Sequence, residues 1–332
     1  MLYAFQLRAH PNARYQDSFL SLSQKELACM LAACHVPADV YARELGGTPF
    51  LCFEAEGLTP VQRAFLAGHS GLYMAAELTG GLLRPLALAE APVLPQDMPE
   101  ILKYKGKTNA SFTRLLINLA LAAGGQWSTP HPLVLDPICG HGTALYCALT
   151  RGMNAIGVDS DKKALQEGIT FTQKWLQYHR IKHTLRRESH TLPAGGSAPG
   201  THFTLQAAGE ALTLSFLQAD TRAAGSLLRR RPVQALVADL PYGVQHAPRE
   251  NGRMSTLEGL LRECLPAWRD ALSPGCGAAI AFNTYTLRRS TLAALTAEAG
   301  FTVPDDPFYD DFTHWVEQAV NRDVLVALRP TK

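Results

Sequence analysis

Leu133-Val-Leu-Asp-Pro-Ile-Cys-Gly-His-Gly-Thr-Ala-Leu-Tyr-Cys-Ala-Leu-Thr150, followed by Asn154-Ala-Ile-Gly-Val-Asp159, decides the fold. The short apolar run from Leu133 to Pro137 reads as a buried strand. Gly140 and Gly142 punctuate a turn, Thr143 to Thr150 reads as a helix, and Asn154 to Asp159 as a second strand. Strand, glycine turn, helix and strand make a crossover unit that joins parallel strands. The alternation continues outward. Lys162 to Tyr178 reads as a helix, Leu214 to Asp220 and Ala235 to Leu240 as strands, and Leu257 to Leu272 as a helix. A strand at Gly277 to Asn283, a helix at Thr286 to Ala299, and strands at Phe301 to Val303 and Asp323 to Leu328 complete the series. This pattern predicts an α/β, Rossmann-like, doubly wound and mainly parallel sheet.

One segment breaks the rhythm. Residues 180–213 hold Pro193-Ala-Gly-Gly-Ser-Ala-Pro-Gly200 between two polar-alternating stretches, which predicts an inserted β-hairpin. Its first arm carries Arg180, Lys182, Arg186 and Arg187, and reads equally as a solvated flap or a substrate-contacting arm. Residues 1–95 read as a small α+β domain, and 96–332 as the larger domain with its insertion. The smaller unit has strands at Leu2 to Leu7 and Pro49 to Glu54. Its helices are expected at Ser23 to Cys34, with Ser23 and Glu26 as a capping box, and at Pro60 to Leu78. The Pro-rich stretch Ala91 to Pro99 connects the two units.

The 332 residues are 47% hydrophobic and 18% charged, with a net charge of +2. That balance carries no global nucleic-acid signature, so any basic surface must be local. Local clusters occur at Lys103, Lys105 and Lys107, in the hairpin arm, and at Arg229 to Arg231. On one face they would track phosphates; dispersed, they are solvated. Seven scattered cysteines without a CxxC pair fit a reducing, cytoplasmic setting, and no membrane contact is expected. The N-terminus turns polar too early for a signal peptide, and no apolar run reaches the roughly 18 residues of a membrane span. His141 has no partner at metal-ligand spacing, so no metal is expected.

In an open α/β sheet, ligands bind beyond the carboxyl ends of the strands. Asp136, Pro137, Cys139, Gly140, Gly142 and Thr143 sit at such an end. The glycines let backbone approach a ligand, and the helix from Thr143 offers free N–H groups to a carboxylate. Cys139 fits as a small packing residue in that turn better than as a nucleophile. Asp159, with Ser160 beside it, ends the next strand, where an acidic residue meets ribose hydroxyls. Asp220 ends the third strand and could accept from an adenine amino group. The fourth strand ends in Asp239-Leu240-Pro241-Tyr242-Gly243. A carboxylate, an available carbonyl at Leu240, a Pro-bent backbone and a stacking ring suit a flat group bearing an exocyclic amine. Gln245 and His246 could line the same pocket, His246 as a polar loop residue rather than a base. Arg322 and Asp323 read as a structural ion pair at the sheet edge.

Together DPICGHGT (Asp136 to Thr143), GVDSD (Gly157 to Asp161), LQAD (Leu217 to Asp220) and ADLPYG (Ala238 to Gly243) resemble class I S-adenosylmethionine-dependent methyltransferases. With Tyr104-Lys-Gly-Lys-Thr-Asn109, Phe112 to Leu119 and Val320 to Val326, the chain resembles more closely the THUMP-associated RNA guanosine-N2 methyltransferases, over about residues 103–330. The resemblance implies S-adenosylmethionine as cofactor and a segment before the first strand that closes over it, with Thr108, Asn109 and Phe112 as candidates. It implies methyl transfer to an exocyclic amine of a nucleobase, guanine N2 in a tRNA-like RNA being the favoured target. Leu240 stands where most relatives carry Pro. The N-terminal 95 residues are shorter and more neutral than a full THUMP module with its leading domain. Alternative readings are N-methylation of a small molecule, a DNA base or a protein amide, and a catalytically silent cofactor-binding adaptor.

Overall fold

The computed structural model describes residues 1–9, 13–88, 92–192, 195–207, 209–241, 249–250, 253–254 and 256–331, with side chains described outside 13–17, 249–250 and 253–254. The chain opens with β1 (Leu2–Leu7), α1 (Ala13–Ala33), β2 (Tyr41–Leu45), β3 (Thr48–Glu54), α2 (Pro60–Leu66), β4 (Leu72–Thr79) and β5 (Leu82–Leu86). The strands form one antiparallel sheet in the order β2-β3-β1-β4-β5. One face buries Phe5, Leu7 and Phe53 with Leu27 and Met30 of α1.

The remainder runs α3 (Met98–Ile101), α4 (Ala110–Ala123), β6 (Leu133–Asp136), α5 (Thr143–Thr150), β7 (Asn154–Asp159), α6 (Lys162–Tyr178), β8 (His183–Thr191), β9 (Ser197–Ala207), β10 (Glu210–Gln218), α7 (Ala224–Leu228) and β11 (Val233–Asp239). After the two-residue strands β12 (Arg249–Glu250) and β13 (Arg253–Met254) come α8 (Leu257–Ala271), β14 (Leu272–Asn283), α9 (Arg289–Glu298), β15 (His314–Glu317) and β16 (Val320–Leu328). The main sheet has nine strands in the order β15-β16-β14-β11-β6-β7-β10-β9-β8. Strands β6, β7, β10, β11 and β14 are parallel, while β16 runs antiparallel to β14. The chain winds from β6 outward through β7 to β10. It then crosses back to β11 on the other side of β6, so the switch point lies between β6 and β11. Residues of α4, α5 and α6 cover one face and those of α7, α8 and α9 the other. Central strands are therefore apolar on both sides, as in Ala235–Ala238. The doubly wound sheet and the inserted hairpin are as the alternation predicts; β9 extends the sheet antiparallel to β10, and β8 pairs antiparallel with β9 at its edge.

Three elements depart from the sequence reading. Helix α1 begins at Ala13, so Ser23 and Glu26 lie inside it, both buried, and cap nothing. The helix expected over Pro60–Leu78 ends at Leu66 and gives way to β4. Two glycines in close packing follow that end. A Cβ on Gly68 would lie 1.9 Å from the Arg151 guanidinium, and one on Gly71 2.8 Å from Ser23 and Phe19. Phe301–Val303 supplies only a bridge from Thr302 to Leu328, and β15 takes the outer position instead. Among the described residues no helix is long and apolar enough to cross a membrane.

Candidate active site

The floor of the site is the loop after β6. Gly140 and Gly142 adopt φ of +50° and +94°, left-handed values that favour glycine. Nothing lies within 4 Å of where a Cβ on Gly140 would stand, so that backbone is open to a ligand. Asp159, at the end of β7, accepts from the Gly140 N–H at 2.7 Å and from the Asp161 N–H at 2.8 Å, which ties the loop to the next strand. Cys139 is buried and packs on Gly157, where a Cβ would lie 2.5 Å from its Sγ. Burial holds its thiol well above the usual range, with Asp136 and Asp159 adding to the effect, so it is a poor nucleophile. Asp136 accepts from the Ile138 N–H at 3.1 Å. Burial, then the carboxylates of Asp159 and Asp239, push its pKa up to about 8 against that hydrogen bond.

The opposite wall is the end of β11. Asp239 accepts from the Thr108 hydroxyl, and Arg322 Nη2 lies 3.8 Å from the same Oδ2. Arg322 is buried and its guanidinium sits 4.5 Å above the Phe112 ring. The Leu240 N–H donates to the Ala281 carbonyl at 2.9 Å, which fixes the peptide between Asp239 and Leu240. The edge ion pair expected between Arg322 and Asp323 is not formed this way. Strand β16 lies inside the sheet. Arg322 faces Asp239, and Asp323 accepts from Arg289 at 2.9 Å.

The two walls enclose a cleft with two lobes, of about 530 and 360 Å³. Tyr104, Lys105, Gly140, His141, Asp239 and Pro241 line both, so these are halves of one site. The larger lobe adds Thr108, Asp136, Cys139, Thr143 and Glu317. The smaller adds Pro137, Asp159, Ser160 and Asp220, closed by Leu257, Leu261 and Trp268. Acids beside an apolar bay are what a nucleoside needs: acceptors for hydroxyls and amine, and cover for a flat ring.

Tyr104 is a site residue that motif reading missed. It stacks on His141 with centroids 3.9 Å apart, and its hydroxyl lies 2.5 Å from Thr143 Oγ1. Burial raises its pKa to about 12. His141 also meets Glu167 at 2.9 Å, which holds it at the cleft rim rather than in solvent. Glu317 enters from β15, a strand absent from the alternation described above, and its only signal was a charge in a short amphipathic run.

The other predicted residues scatter. Asn109 caps α4, accepting from the Ser111 N–H at 2.7 Å, and Phe112 is buried between Arg322 and His314. Asp220 is gripped by Arg222, whose Nε and Nη2 each donate at 2.9 Å. Burial works to raise the Asp220 pKa, but the hydrogen bonds and charge of Arg222 outweigh it and hold it below the usual range. Any donor that reaches that carboxylate must share it with a guanidinium. Of the basic groups, Lys105 lines the cleft and Lys107 donates to the Pro99 carbonyl. Arg186 and Arg231 both lie near enough to His202 to act on it electrostatically. Tyr242, Gly243, Gln245 and His246 lie outside the described residues.

No protein-family model matches the chain, and no curated protein matches it. Among solved structures, it is similar to a candidate RNA methyltransferase of Pyrococcus horikoshii, with 16% identity and a TM-score of 0.40 over 71% of this chain and 90% of that one. It is also similar to the N-methyltransferase NodS of Bradyrhizobium japonicum WM9, with 11% identity and a TM-score of 0.40 over 66% and 94%. A third is the magnesium protoporphyrin IX methyltransferase of Synechocystis PCC 6803 with bound S-adenosylmethionine, with 15% identity and a TM-score of 0.39 over 70% and 90%.

Proposed function

We propose that this chain is an S-adenosylmethionine-dependent N-methyltransferase that modifies the exocyclic amine of a nucleobase, with guanine N2 in RNA as its target. The observation that carries the reading is the place of Asp239. Its carboxylate stands in the wall common to both lobes, across the switch point from the Asp136 loop. A methyl donor on the Asp136 side would therefore be met by an amine on the Asp239 side.

Charge supports the choice of cofactor. On the cofactor side Asp159 acts electrostatically on Asp136, and Glu317 lines the same cleft. Crowded carboxylates favour a ligand bearing an ammonium and a sulfonium. They disfavour the pyrophosphate of a dinucleotide. Asp159 and Ser160 would hold the ribose, the Leu257–Trp268 bay the adenine, and the α5 N-terminus at Thr143 the methionine carboxylate.

When bound, this cofactor supplies an electrophilic methyl group. The chain supplies placement and acceptors. Asp239 and the Leu240 carbonyl would take the two amine hydrogens, which favours the pyramidal nitrogen and stabilises the positive charge that develops on it. Thr108 and Arg322 position the carboxylate for that role. Tyr242 would stack on the base, a contact worth on the order of 1–3 kcal/mol.

Asp239→Ala tests this directly. It should lower turnover at least about 10²-fold, the scale of one lost electrostatic partner, while calorimetric affinity for S-adenosylmethionine stays nearly unchanged. Retained turnover would sink the assignment. For the target, nucleosides from digested RNA of a deletion strain should lack one N-methylated species. An unchanged profile would move the substrate to a small molecule.

A further inference from the structure

Outside the cleft, Glu188, His190 and His202 converge on one face of the inserted hairpin. Strand β8 runs antiparallel to β9 with Glu188 opposite Gly200, His190 opposite Ala198 and Arg186 opposite His202. The period of two puts all three side chains on the same face. The two histidines stand on either side of the Glu188–Gly200 rung and lean toward each other across it. Their rings meet edge to face, 5.3 Å between centroids at 75°, with the Nε2 atoms 3.2 Å apart. Gly200 makes the meeting possible, because a Cβ there would lie 2.7 Å from both Nε2 atoms.

The spacing is that of a metal's ligand shell. Zinc bonds of about 2.0–2.1 Å in a tetrahedron put neighbouring donor atoms about 3.3 Å apart. One donor atom from each of the three residues lies within 4.8 Å of the other two. His202 also has an outer partner. Its Nδ1 lies 2.8 Å from the Ser215 hydroxyl of β10, which fixes the ring and aims Nε2 at His190. Glu188 is also paired with Arg186, whose side chain is 76% exposed. Such a surface pair is worth little, so the carboxylate can turn to a cation at small cost.

We infer that Glu188, His190 and His202 form a zinc-binding site on the hairpin. Two imidazole nitrogens and one carboxylate oxygen occupy three positions and leave the fourth to water. None of the three lines the cleft, so the site stands apart from methyl transfer. Bound metal would clamp the sheet's outermost strand, β8, to β9.

The test uses the full chain, stripped with a chelator and titrated with Zn²⁺ alone by calorimetry, with Co²⁺ absorption as a second readout. The expected result is one equivalent of Zn²⁺ per chain and visible d–d bands for Co²⁺. His190→Ala and Glu188→Gln, both at half-buried positions, should each weaken Zn²⁺ binding by about 100-fold or more, beyond the 10–100-fold expected for the outer-partner variant Ser215→Ala. Circular dichroism of each variant separates lost ligation from lost folding. Absence of stoichiometric uptake by the folded chain would overturn the site. So would wild-type Zn²⁺ affinity in His190→Ala and Glu188→Gln, since the metal would then sit elsewhere.

Discussion

Asp136 is the residue whose electrostatics are most exposed to experiment. Its pKa rises from an ordinary 3.8 to about 8 in the folded chain. The folded state then binds a proton that the unfolded state has released, so this group favours folding at low pH. The benefit fades as pH climbs from about 4 to about 8, by at most about 1.4 kcal/mol per unit. Asp136→Asn should match the parent in melting temperature near pH 4 and exceed it increasingly up to pH 8. A constant offset across that range would show that Asp136 is not titrating there. The same group should lose its proton when a cationic cofactor binds. Calorimetry in buffers of different ionisation enthalpy should detect proton release at pH 7, and Asp136→Asn should weaken cofactor binding at least about tenfold. Legibility at this scale was uneven. The acids at strand ends could be read because each closes an apolar run before a turn. Arg322 could not. Its neighbour in sequence is Asp323, but the register sets it opposite Asn283 of β14, from where it reaches over to Asp239 of β11. Only the strand order reveals that pairing. Tyr104 was hidden for a similar reason, since its stacking partner His141 is distant in sequence.

Among the elements, α4 connects the sheet to the site. It begins at Ala110, directly after Thr108 and Asn109, and its carboxyl end lies on β14. Gly277 permits the approach: a Cβ there would stand 2.2 Å from the Ala120 carbonyl and 3.0 Å from the Gly124 nitrogen. Both neighbours are backbone and cannot swing aside. Gly277→Ala should therefore lift α4, destabilising the chain by about 1–3 kcal/mol, as overpacking does. Because Thr108 precedes the same helix, turnover should fall together with the melting temperature. Unchanged stability would mean that α4 tolerates a shift. The central strands were legible because burial on both faces makes them continuous apolar runs. Edge elements lack that signal. Strands β2 and β5 are largely exposed, and β4 follows α2 without any composition break beyond Gly68 and Gly71. The histidine pair of the hairpin was illegible because β8–β9 register, not sequence spacing, brings His190 to His202.

For the molecule as a whole, the central question is whether the N-terminal sheet is an appended module or part of one folding unit. The two units share buried core. A single buried cluster runs from Phe5 and Phe53 through Leu27 of α1 to Leu115 and Leu119 of α4. At that seam Glu26 is fully buried. Its Oε1 accepts from the Ser70 N–H at 2.9 Å and from Asn118 Nδ2 at 2.5 Å, while Oε2 accepts from the Ser70 hydroxyl and lies 3.5 Å from His69 Nε2. Asn118 donates to the Gly68 carbonyl as well, at 2.8 Å. One carboxylate thus gathers donors from the N-terminal unit and from a helix of the main sheet. Removing it by Glu26→Ala would leave the Ser70 N–H and hydroxyl without their acceptor, at about 1–3 kcal/mol each, and should lower the melting temperature of the entire chain by several degrees. Scanning calorimetry of the parent should give a single transition, and in the variant that transition should shift without splitting. Two resolved transitions, with only the smaller moved by Glu26→Ala, would mean that residues 1–95 fold independently and that the seam is a contact between autonomous domains. A single shifted transition would make the N-terminal sheet a brace for α4, and through α4 for the Thr108–Asp239 contact of the proposed catalytic site.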